Sequence, residues 1–379
     1  MTTYSGIGEL NKLGDIVTSY SAHRVLVVTG GKSFQACGAK AILSECLKDH
    51  HVTYFSDFEV NPRLIDAQRG VKLAIENTIE LIISIGGGSV LDMGKLIKAL
   101  YSNPSEAVNL AKGTISVTDP NIPLVTIPTT AGSGSESTHF AVVYVGDQKY
   151  SLANNCLLPN DVILDGNLTL SATKYQKACN VLDALSQSIE SAWAVGSTSE
   201  SLLMSYEALE LCVKNFSEYV NSTDNPIVAQ AMIRASSLAG QAINITKTTA
   251  AHAWSYGLTK KHGVPHGHAV WVTLPAIFKI HATSHSDVIS DPRGSKNLAT
   301  VMARLMGILN ISAKKDIERY FDDMLTVIGI KADIETDLGI SIKERAALSC
   351  EVNHERMGNN PVIFSKSHIN KIFKLSLTN

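Results

Sequence analysis

An apolar run that ends directly in three glycines constrains the fold of this chain more than any other feature. Residues 81–85 read LIISI, and Gly86-Gly87-Gly88-Ser89 follow without a break. The run predicts a buried β-strand, and the glycines predict a tight turn into a helix. A strand without polar alternation is typical of a parallel sheet that is covered by helices on both faces.

The rest of the first half repeats this alternation of strand and helix. Residues 25–30 read VLVVTG, a helical stretch follows over about residues 35–48, and PLVTIP, AVVYVG and DVILD are later strand-like runs. From about residue 168, apolar residues instead recur at the spacing of one helix face, as in SLLMSYEALELCVKNFSEYV. We therefore predict an α/β nucleotide-binding domain over residues 1–167 and an all-α C-terminal domain over residues 168–379.

Composition and charge exclude several classes of protein. The 379 residues are 45% hydrophobic and 18% charged, which is typical of a globular protein. The formal net charge is -2 and the basic residues are scattered, so no nucleic-acid partner is expected. No apolar run is long enough to cross a membrane, the first residues show no secretory signal pattern, and the 6 cysteines form no CxxC pair. These features predict a cytoplasmic protein with reduced thiols.

The glycine-rich turn is a candidate phosphate site. Glycines allow the backbone to approach a phosphate, and the start of the next helix offers N–H groups and a positive dipole end. Ser89 can add a hydrogen bond, and Asp92 and Lys95 follow. A second small-residue turn, PTTAGSGSE at residues 128–136, also follows a strand and predicts another wall of one nucleotide cleft. The alternative is a simple strand-to-helix turn, and the absence of GxGxxG argues against an ordinary Rossmann domain.

A histidine-rich segment in the second half is the other candidate site. His252, His262, His266 and His268 lie within it, and intervening Gly and Pro residues prevent one uninterrupted helix. A chain that bends in this way can direct several imidazoles to one point, as a metal or proton-transfer site requires. The alternative is a helix end, a turn and a helix start whose histidines are solvated or packed in the core.

Four motifs in a fixed order resemble a known family. They are GGGSVLDMGK, IPTTAGSGSE, DALSQSIES and VPHGHAV. Together they resemble the iron-containing (group III) alcohol dehydrogenases, relatives of dehydroquinate synthase and glycerol dehydrogenase, over nearly the whole chain. The resemblance implies a nucleotide-binding α/β domain, a helical domain that holds a divalent metal, NAD or NADP as cofactor, and a homodimer.

The resemblance also implies a set of metal ligands. The four positions are Asp183, Gln187, His252 and His266. Asp183 and Gln187 stand four residues apart, which places both on one helix face. The family usually has His where this chain has Gln187, and an amide oxygen is a weaker ligand than imidazole for Fe(II) or Zn. The metal could therefore bind more loosely, change its identity or be lost.

The cofactor positions come from the two turns and from the end of the first strand. They are Gly30, Lys32, Ser33, Gly86, Gly87, Gly88, Ser89, Asp92, Thr129, Thr130 and Ser133. Relatives that prefer NAD often carry Asp after the first strand, where it binds the ribose 2′-OH. This chain has Gly30-Gly31-Lys32-Ser33 instead, which favours acceptance of NADPH without excluding NADH.

Tyr256 and His262 are the candidate proton relays. The family often has a histidine one helical turn after the first metal histidine, where this chain has Tyr256. A tyrosine is a poorer proton shuttle near neutral pH because its ordinary pKa is about 10. His262 is an alternative relay, and a packed aromatic ring is the structural alternative for Tyr256.

The expected reaction is reversible hydride transfer between the nicotinamide and a small aldehyde or alcohol. The segments KTTAAHAWSY and NHERMGNNP look like the branch that includes phosphonoacetaldehyde reductases. An anionic substrate requires cations, and Lys247, Lys260, Lys261 and Arg356 are candidates, although each could be a solvated surface charge. Simple alcohols remain alternative substrates. Two other functions also remain open: a dehydroquinate synthase-like lyase and a nucleotide-binding pseudoenzyme.

Overall fold

The computed structural model describes residues 1–331 and 339–375, and for Lys32 the backbone alone. These residues form two compact units. The first contains Met1–Ala172 and Thr223–Gly240, and the second contains Thr173–Ser222 and Gln241–Asn379. Each predicted domain is one continuous segment, whereas each unit consists of two segments. The domain boundary between residues 167 and 168 stays a prediction.

Six strands of the first unit form one parallel sheet, in the order β1-β8-β5-β4-β2-β3. The remaining two strands, β6 and β7, form a separate antiparallel hairpin. The predicted runs AVVYVG and DVILD therefore belong to different sheets. The strands are β1 (Thr2–Ser5), β2 (Arg24–Thr29), β3 (His51–Phe55), β4 (Leu81–Gly86), β5 (Leu124–Pro128), β6 (Phe140–Val145), β7 (Gln148–Ala153) and β8 (Asp161–Leu164).

Successive residues of the central strands enter two separate hydrophobic cores. Val25 and Ile83 lie in one core, and their neighbours Leu26 and Ile82 lie in the other. Side chains of a strand alternate between faces, so both faces of this sheet are covered, as the unbroken apolar runs predict. The helices of this unit before residue 172 are α1 (Leu13–Ser19), α2 (Gly31–Ala36), α3 (Ala39–Cys46), α4 (Leu64–Glu76), α5 (Gly88–Tyr101) and α6 (Ala107–Ala111).

The helical stretch predicted over residues 35–48 is divided in the structure. α2 ends at Ala36, and α3 starts at Ala39 after Gly38, whose φ is 78°. A left-handed backbone conformation favours glycine and interrupts a helix. The apolar pattern continues across this break, which is why periodicity alone did not reveal it.

The regular elements of the second unit, within its described residues, are all helices, which confirms the all-α prediction. α9 begins in the part of the chain that belongs to the first unit, because residues 223–240 are part of that unit. The helices from residue 173 onward are α7 (Lys174–Trp193), α8 (Ser199–Asn221), α9 (Pro226–Thr246), α10 (Ala250–His262), α11 (His266–Trp271), α12 (Leu274–Thr283), α13 (Gly294–Ile308), α14 (Ile317–Ile328), α15 (Ile342–Cys350), α16 (His354–Gly358) and α17 (Lys366–Ile372).

No helix among the described residues is long and apolar enough to cross a bilayer. All 6 cysteines lie in the described part of the chain, and each is a free thiol.

Candidate functional site

The glycine-rich turn joins the carboxyl end of β4 to the start of α5. Gly87 is the residue before the helix, and Val90 donates its backbone N–H to the Gly87 carbonyl oxygen at 2.8 Å. The first N–H groups of a helix have no partner within the helix, and they point toward any anion at that end. Ser89 also stands here, and its Oγ accepts from the backbone N–H of Asn61 at 3.2 Å.

The second turn lies against the first, as the sequence predicts. Thr129 donates its backbone N–H to the Gly86 carbonyl oxygen at 2.9 Å. A methyl group on Gly88 would lie 2.7 Å from Ser133 Oγ, and one on Gly87 would lie 3.4 Å from the Thr130 methyl carbon. The contact at Gly87 is an ordinary van der Waals distance, whereas the contact at Gly88 is too short for a side chain. Gly88 is therefore needed for the close approach of the two turns, in addition to any role toward a phosphate.

The third group of candidate cofactor positions lies at the end of β2. Gly30 precedes α2, and a methyl group on it would lie 2.7 Å from Ser33 Oγ. Ser33 is exposed, whereas the side chain of Lys32 lies outside what the structure describes. Because β2 and β4 are neighbouring parallel strands, their carboxyl ends, and hence these turns, lie at the same edge of the sheet.

Asp92 has partners within the protein, although its motif predicts a cofactor contact. Its Oδ1 accepts from Ser135 Oγ at 2.6 Å, and its Oδ2 accepts from the Val142 backbone N–H at 3.0 Å. Lys95, one turn later, is 0% exposed and donates to Thr138 Oγ1 at 2.9 Å and to the backbone carbonyl oxygen of Ser135. Burial lowers the pKa of Lys95 to about 8 against the opposing effect of the Asp92 charge. These contacts fasten α5 to the chain that follows the second turn.

The structure brings together three of the four predicted metal ligands. One ligand atom from each of Asp183, His252 and His266 lies within 4.8 Å of the others. Asp183 is 6% and His252 5% exposed, and His252 Nε2 lies 3.4 Å from Asp183 Oδ1. The rings of His252 and His266 have centroids 5.3 Å apart. A carboxylate and two imidazoles are donors that suit Zn or Fe(II), and three protein ligands leave a position for substrate.

Glycine and proline in the histidine-rich segment explain how these residues meet. Gly263, with a φ of 65°, ends α10, and α11 begins at His266 directly after Pro265. A methyl group on Gly267 would overlap the Cys179 carbonyl oxygen and would lie 2.9 Å from Asp183 Cβ. Only glycine therefore allows the start of α11 to lie this close to α7, which carries Asp183.

Gln187 lies beside the cluster on the next turn of α7. It is buried, and its Nε2 donates to Asp183 Oδ1 at 3.1 Å. The amide thus orients the carboxylate. Its assignment as a metal ligand stays a prediction.

Of the two candidate relays, Tyr256 is the one that lies next to the cluster. Its ring is stacked on His266 with a centroid distance of 6.4 Å. His262 is the last residue of α10, ten positions after His252, and therefore about 15 Å farther along the helix axis. The structure does not bring His262 together with the three clustered residues.

Two of the four candidate cations for an anionic substrate have acidic partners, and one is buried. Lys247 forms an ion pair with Glu355, and Lys261 forms one with Glu351. Lys260 is exposed, and Arg356 is 8% exposed. Their role as substrate-binding residues stays a prediction.

Glu190 is a residue of this region that the sequence interpretation missed. It is 0% exposed on α7 and its carboxylate contacts His252 Nδ1. The available signal was its spacing, because positions 183, 187 and 190 share one helix face. Burial lowers the pKa of His252, but the nearby carboxylates of Glu190 and Asp183 outweigh this effect and raise it to about 9. Burial acts to raise the pKa of Asp183, yet the two histidines keep it below its ordinary value.

Comparisons with known proteins show the family of this chain. The family model for iron-containing alcohol dehydrogenases matches residues 2–166, and the model for the C-terminal part of that family matches residues 177–377. Phosphonoacetaldehyde reductase of Streptomyces viridochromogenes is 28% identical over 293 residues, which cover 74% of this chain and 72% of the relative. Sulfoacetaldehyde reductase of Bilophila wadsworthia is 24% identical over 375 residues, which cover 96% and 94% of the two chains.

Solved structures resemble the whole chain. The crystal structure of sulfoacetaldehyde reductase from Bifidobacterium kashiwanohense in complex with NAD+ has a TM-score of 0.89 at 25% sequence identity and covers 100% of this chain and 98% of that one. Since the two family models together match nearly every residue, the chain belongs to the iron-containing alcohol dehydrogenase family.

Proposed function

We propose that this protein is an NAD(P)-linked, metal-dependent oxidoreductase that reduces a small aldehyde to a primary alcohol in a reversible reaction. The observation that carries the proposal is the buried cluster of Asp183, His252 and His266. Burial of a carboxylate beside two imidazoles is costly unless these groups serve a ligand or one another. Family membership and the NAD+ complex of a similar sulfoacetaldehyde reductase support the nucleotide part of the proposal.

Each group of residues has a proposed role. A divalent cation, Fe(II) or Zn, held by Asp183, His252 and His266 would supply Lewis-acid stabilisation of the negative charge that develops on the carbonyl oxygen. The turns at Gly86–Ser89 and Thr129–Ser133 bind the phosphates of the dinucleotide through backbone N–H groups and hydroxyls. Tyr256 is the proposed proton donor nearest to the cluster, since its ring is stacked on that of His266.

The proposed substrate class includes anionic two-carbon aldehydes. Two relatives named for such substrates, the phosphonoacetaldehyde and sulfoacetaldehyde reductases, support it. The ion pairs of Lys247 and Lys261 with acidic residues weigh against it, because these charges are already balanced within the protein. The substrate assay must therefore compare the anionic aldehydes with a neutral aldehyde of similar size.

The test is an aldehyde panel with purified protein reloaded with Fe(II), Zn or Mn. Phosphonoacetaldehyde, sulfoacetaldehyde, acetaldehyde and butanal are each assayed with NADH and with NADPH. We expect metal-dependent turnover with at least one aldehyde and measurable rates with both nucleotides. Tight nucleotide binding without turnover under every condition would instead favour a pseudoenzyme, and nucleotide that is recycled without net oxidation would favour a lyase.

We also propose that the protein acts as a homodimer in the cytoplasm. The free state of all six cysteines supports a reducing compartment. Light scattering coupled to size exclusion tests the dimer, with a monomer mass of 40.7 kDa as the contrary result.

A further inference from the structure

A buried carboxylate of the second unit has no step in the proposed reaction. Glu190 is 0% exposed and lies seven residues after Asp183 on α7. A buried charge is stabilised only when close partners satisfy it, and removal of one partner is strongly destabilising. The partners of Glu190 therefore indicate what it does.

One oxygen of this carboxylate accepts from the start of α10. Glu190 Oε1 accepts from the Thr249 backbone N–H at 3.1 Å, from Thr249 Oγ1 at 2.7 Å and from the Ala251 backbone N–H at 3.0 Å. Thr249 is the residue before α10. N–H groups at this end of a helix lack partners within the helix, and a negative charge is favourable there. Glu190 thus fixes the position of α10 relative to α7.

The other oxygen of the carboxylate faces a candidate metal ligand. Glu190 Oε2 is hydrogen-bonded to His252 Nδ1, and the opposite ring nitrogen, Nε2, lies 3.4 Å from Asp183 Oδ1. An ionised carboxylate can only accept, so the shared proton belongs to Nδ1. In a neutral imidazole, a proton on Nδ1 leaves the lone pair on Nε2.

We propose that Glu190 is a positioning residue that keeps the proton of His252 on Nδ1 and thereby presents Nε2 to the metal. This inference rests on the proposed metal site. Carboxylates that hold the second nitrogen of a metal-binding histidine determine its tautomer and the orientation of its ring. Here the same carboxylate also holds the start of the helix that carries the histidine, so ring orientation and helix position are linked through one side chain.

The decisive variant is Glu190→Gln, which keeps the size of the side chain. Its amide oxygen has to stay with the three donors from Thr249 and Ala251, so its amide N–H₂ group faces His252 Nδ1. The ring then accepts at Nδ1 and carries its proton on Nε2, where the metal has to bind. We expect zinc to bind about 10- to 100-fold more weakly, as measured by competition with a chromophoric chelator.

Ser188→Ala is the matched control. Ser188 is fully buried on the same helix, and its Oγ donates to the Ala184 carbonyl oxygen at 2.7 Å. Zinc affinity within twofold of the wild type is expected for this control. Wild-type affinity in a folded Glu190→Gln protein overturns the positioning role, provided that Asp183→Asn and His252→Ala lose zinc. If those two variants bind zinc as the wild type does, the metal site itself is wrong.

A second measurement is made on the wild-type protein, and a variant serves only to assign the signal. Proton–nitrogen NMR spectra of zinc-loaded wild-type protein with ¹⁵N-labelled histidine report which ring nitrogen of His252 carries the proton. The His252→Ala spectrum assigns the signal. A proton on Nδ1 supports the role of Glu190, and a proton on Nε2 contradicts it.

Discussion

The candidate nucleotide turns of the first unit depend on backbone, whereas the candidate metal cluster of the second unit depends on side chains. At the turns, Gly88 allows two loops to approach within the space of a methyl group. At the cluster, Asp183 and His252 are buried and are oriented by Gln187 and Glu190. We therefore expect the turns to tolerate changes of polar side chains and to be sensitive to added side-chain volume. We expect the metal cluster to tolerate little change in hydrogen bonding.

The largest expected difference between the two regions is in zinc affinity, when an aspartate of each region is replaced by asparagine. Asp183→Asn removes a charged ligand from the cluster. Loss of a residue that only holds a metal ligand lowers metal affinity by at most roughly 100-fold, so loss of the ligand itself should lower zinc affinity by more than that. Aldehyde reduction should become undetectable. Asp92→Asn changes a carboxylate that accepts from Ser135 and Val142. It should leave zinc affinity unchanged and lower the thermal midpoint. Equal zinc loss in both variants would contradict the division between the two regions.

Comparison with a second buried histidine separates the effect of burial on a histidine pKa from the effect of nearby carboxylates. His281 is 3% exposed, stands against Trp193 with ring centroids 4.4 Å apart, and its Nε2 lies 3.3 Å from Asn360 Nδ2. Burial, with a smaller effect of the His368 charge, lowers the pKa of His281 to about 3 from 6.5. The carboxylates beside His252 produce the opposite shift.

The lowered pKa of His281 predicts that the folded protein loses stability in acid. The unfolded chain binds a proton at residue 281 below pH 6.5 and the folded chain does not until about pH 3, so this stabilisation is complete above pH 6.5 and is lost as pH falls toward 3. The unfolding free energy should fall by about 1.4 kcal/mol per pH unit from this residue. Urea unfolding between pH 4.5 and 7 should show a shallower dependence in His281→Gln. Parallel profiles for variant and wild type would contradict the prediction.

A methyl group added to the glycine-rich turn tests whether nucleotide binding depends on the close approach of the two turns. Gly88→Ala places a carbon 2.7 Å from Ser133 Oγ, which should separate the two turns and raise the KM for NAD(P)H by about tenfold through a loss of about 1.4 kcal/mol of binding. Zinc affinity should not change. Gly307→Ala is the matched control, because an added methyl group there meets nothing within 4 Å. An unchanged KM in Gly88→Ala would mean that the close approach of the turns does not matter for the nucleotide.

The smallest expected effect concerns the departure from the family pattern. Gln187→His replaces an amide with the imidazole that relatives usually have, a better ligand for Zn or Fe(II). We expect zinc to bind several-fold more tightly in the chelator competition. The gain is limited because the hydrogen bond from Gln187 Nε2 to Asp183 Oδ1 is lost. Unchanged affinity would show that this side chain does not face the ion.

The sequence predicts the elements of both regions better than it predicts their partners. Apolar runs and glycines gave the buried strands and the adjacent turns, because these depend on local pattern. Asp183, His252 and His266 meet as the family resemblance implies. The role of Asp92 was harder to predict, since its partners stand 43 and 50 residues later in the chain. Helical spacing places Glu190 on the same face as Asp183 and Gln187, but its contacts with the start of α10 come from tertiary packing and could not be predicted from spacing.

The most direct test of the account is anomalous diffraction at the iron and zinc absorption edges, from crystals grown with metal and NAD+. We expect one ion per chain, bound by Asp183, His252 Nε2 and His266. An ion at another place, or these three side chains directed away from a common centre in metal-supplied crystals, would contradict it.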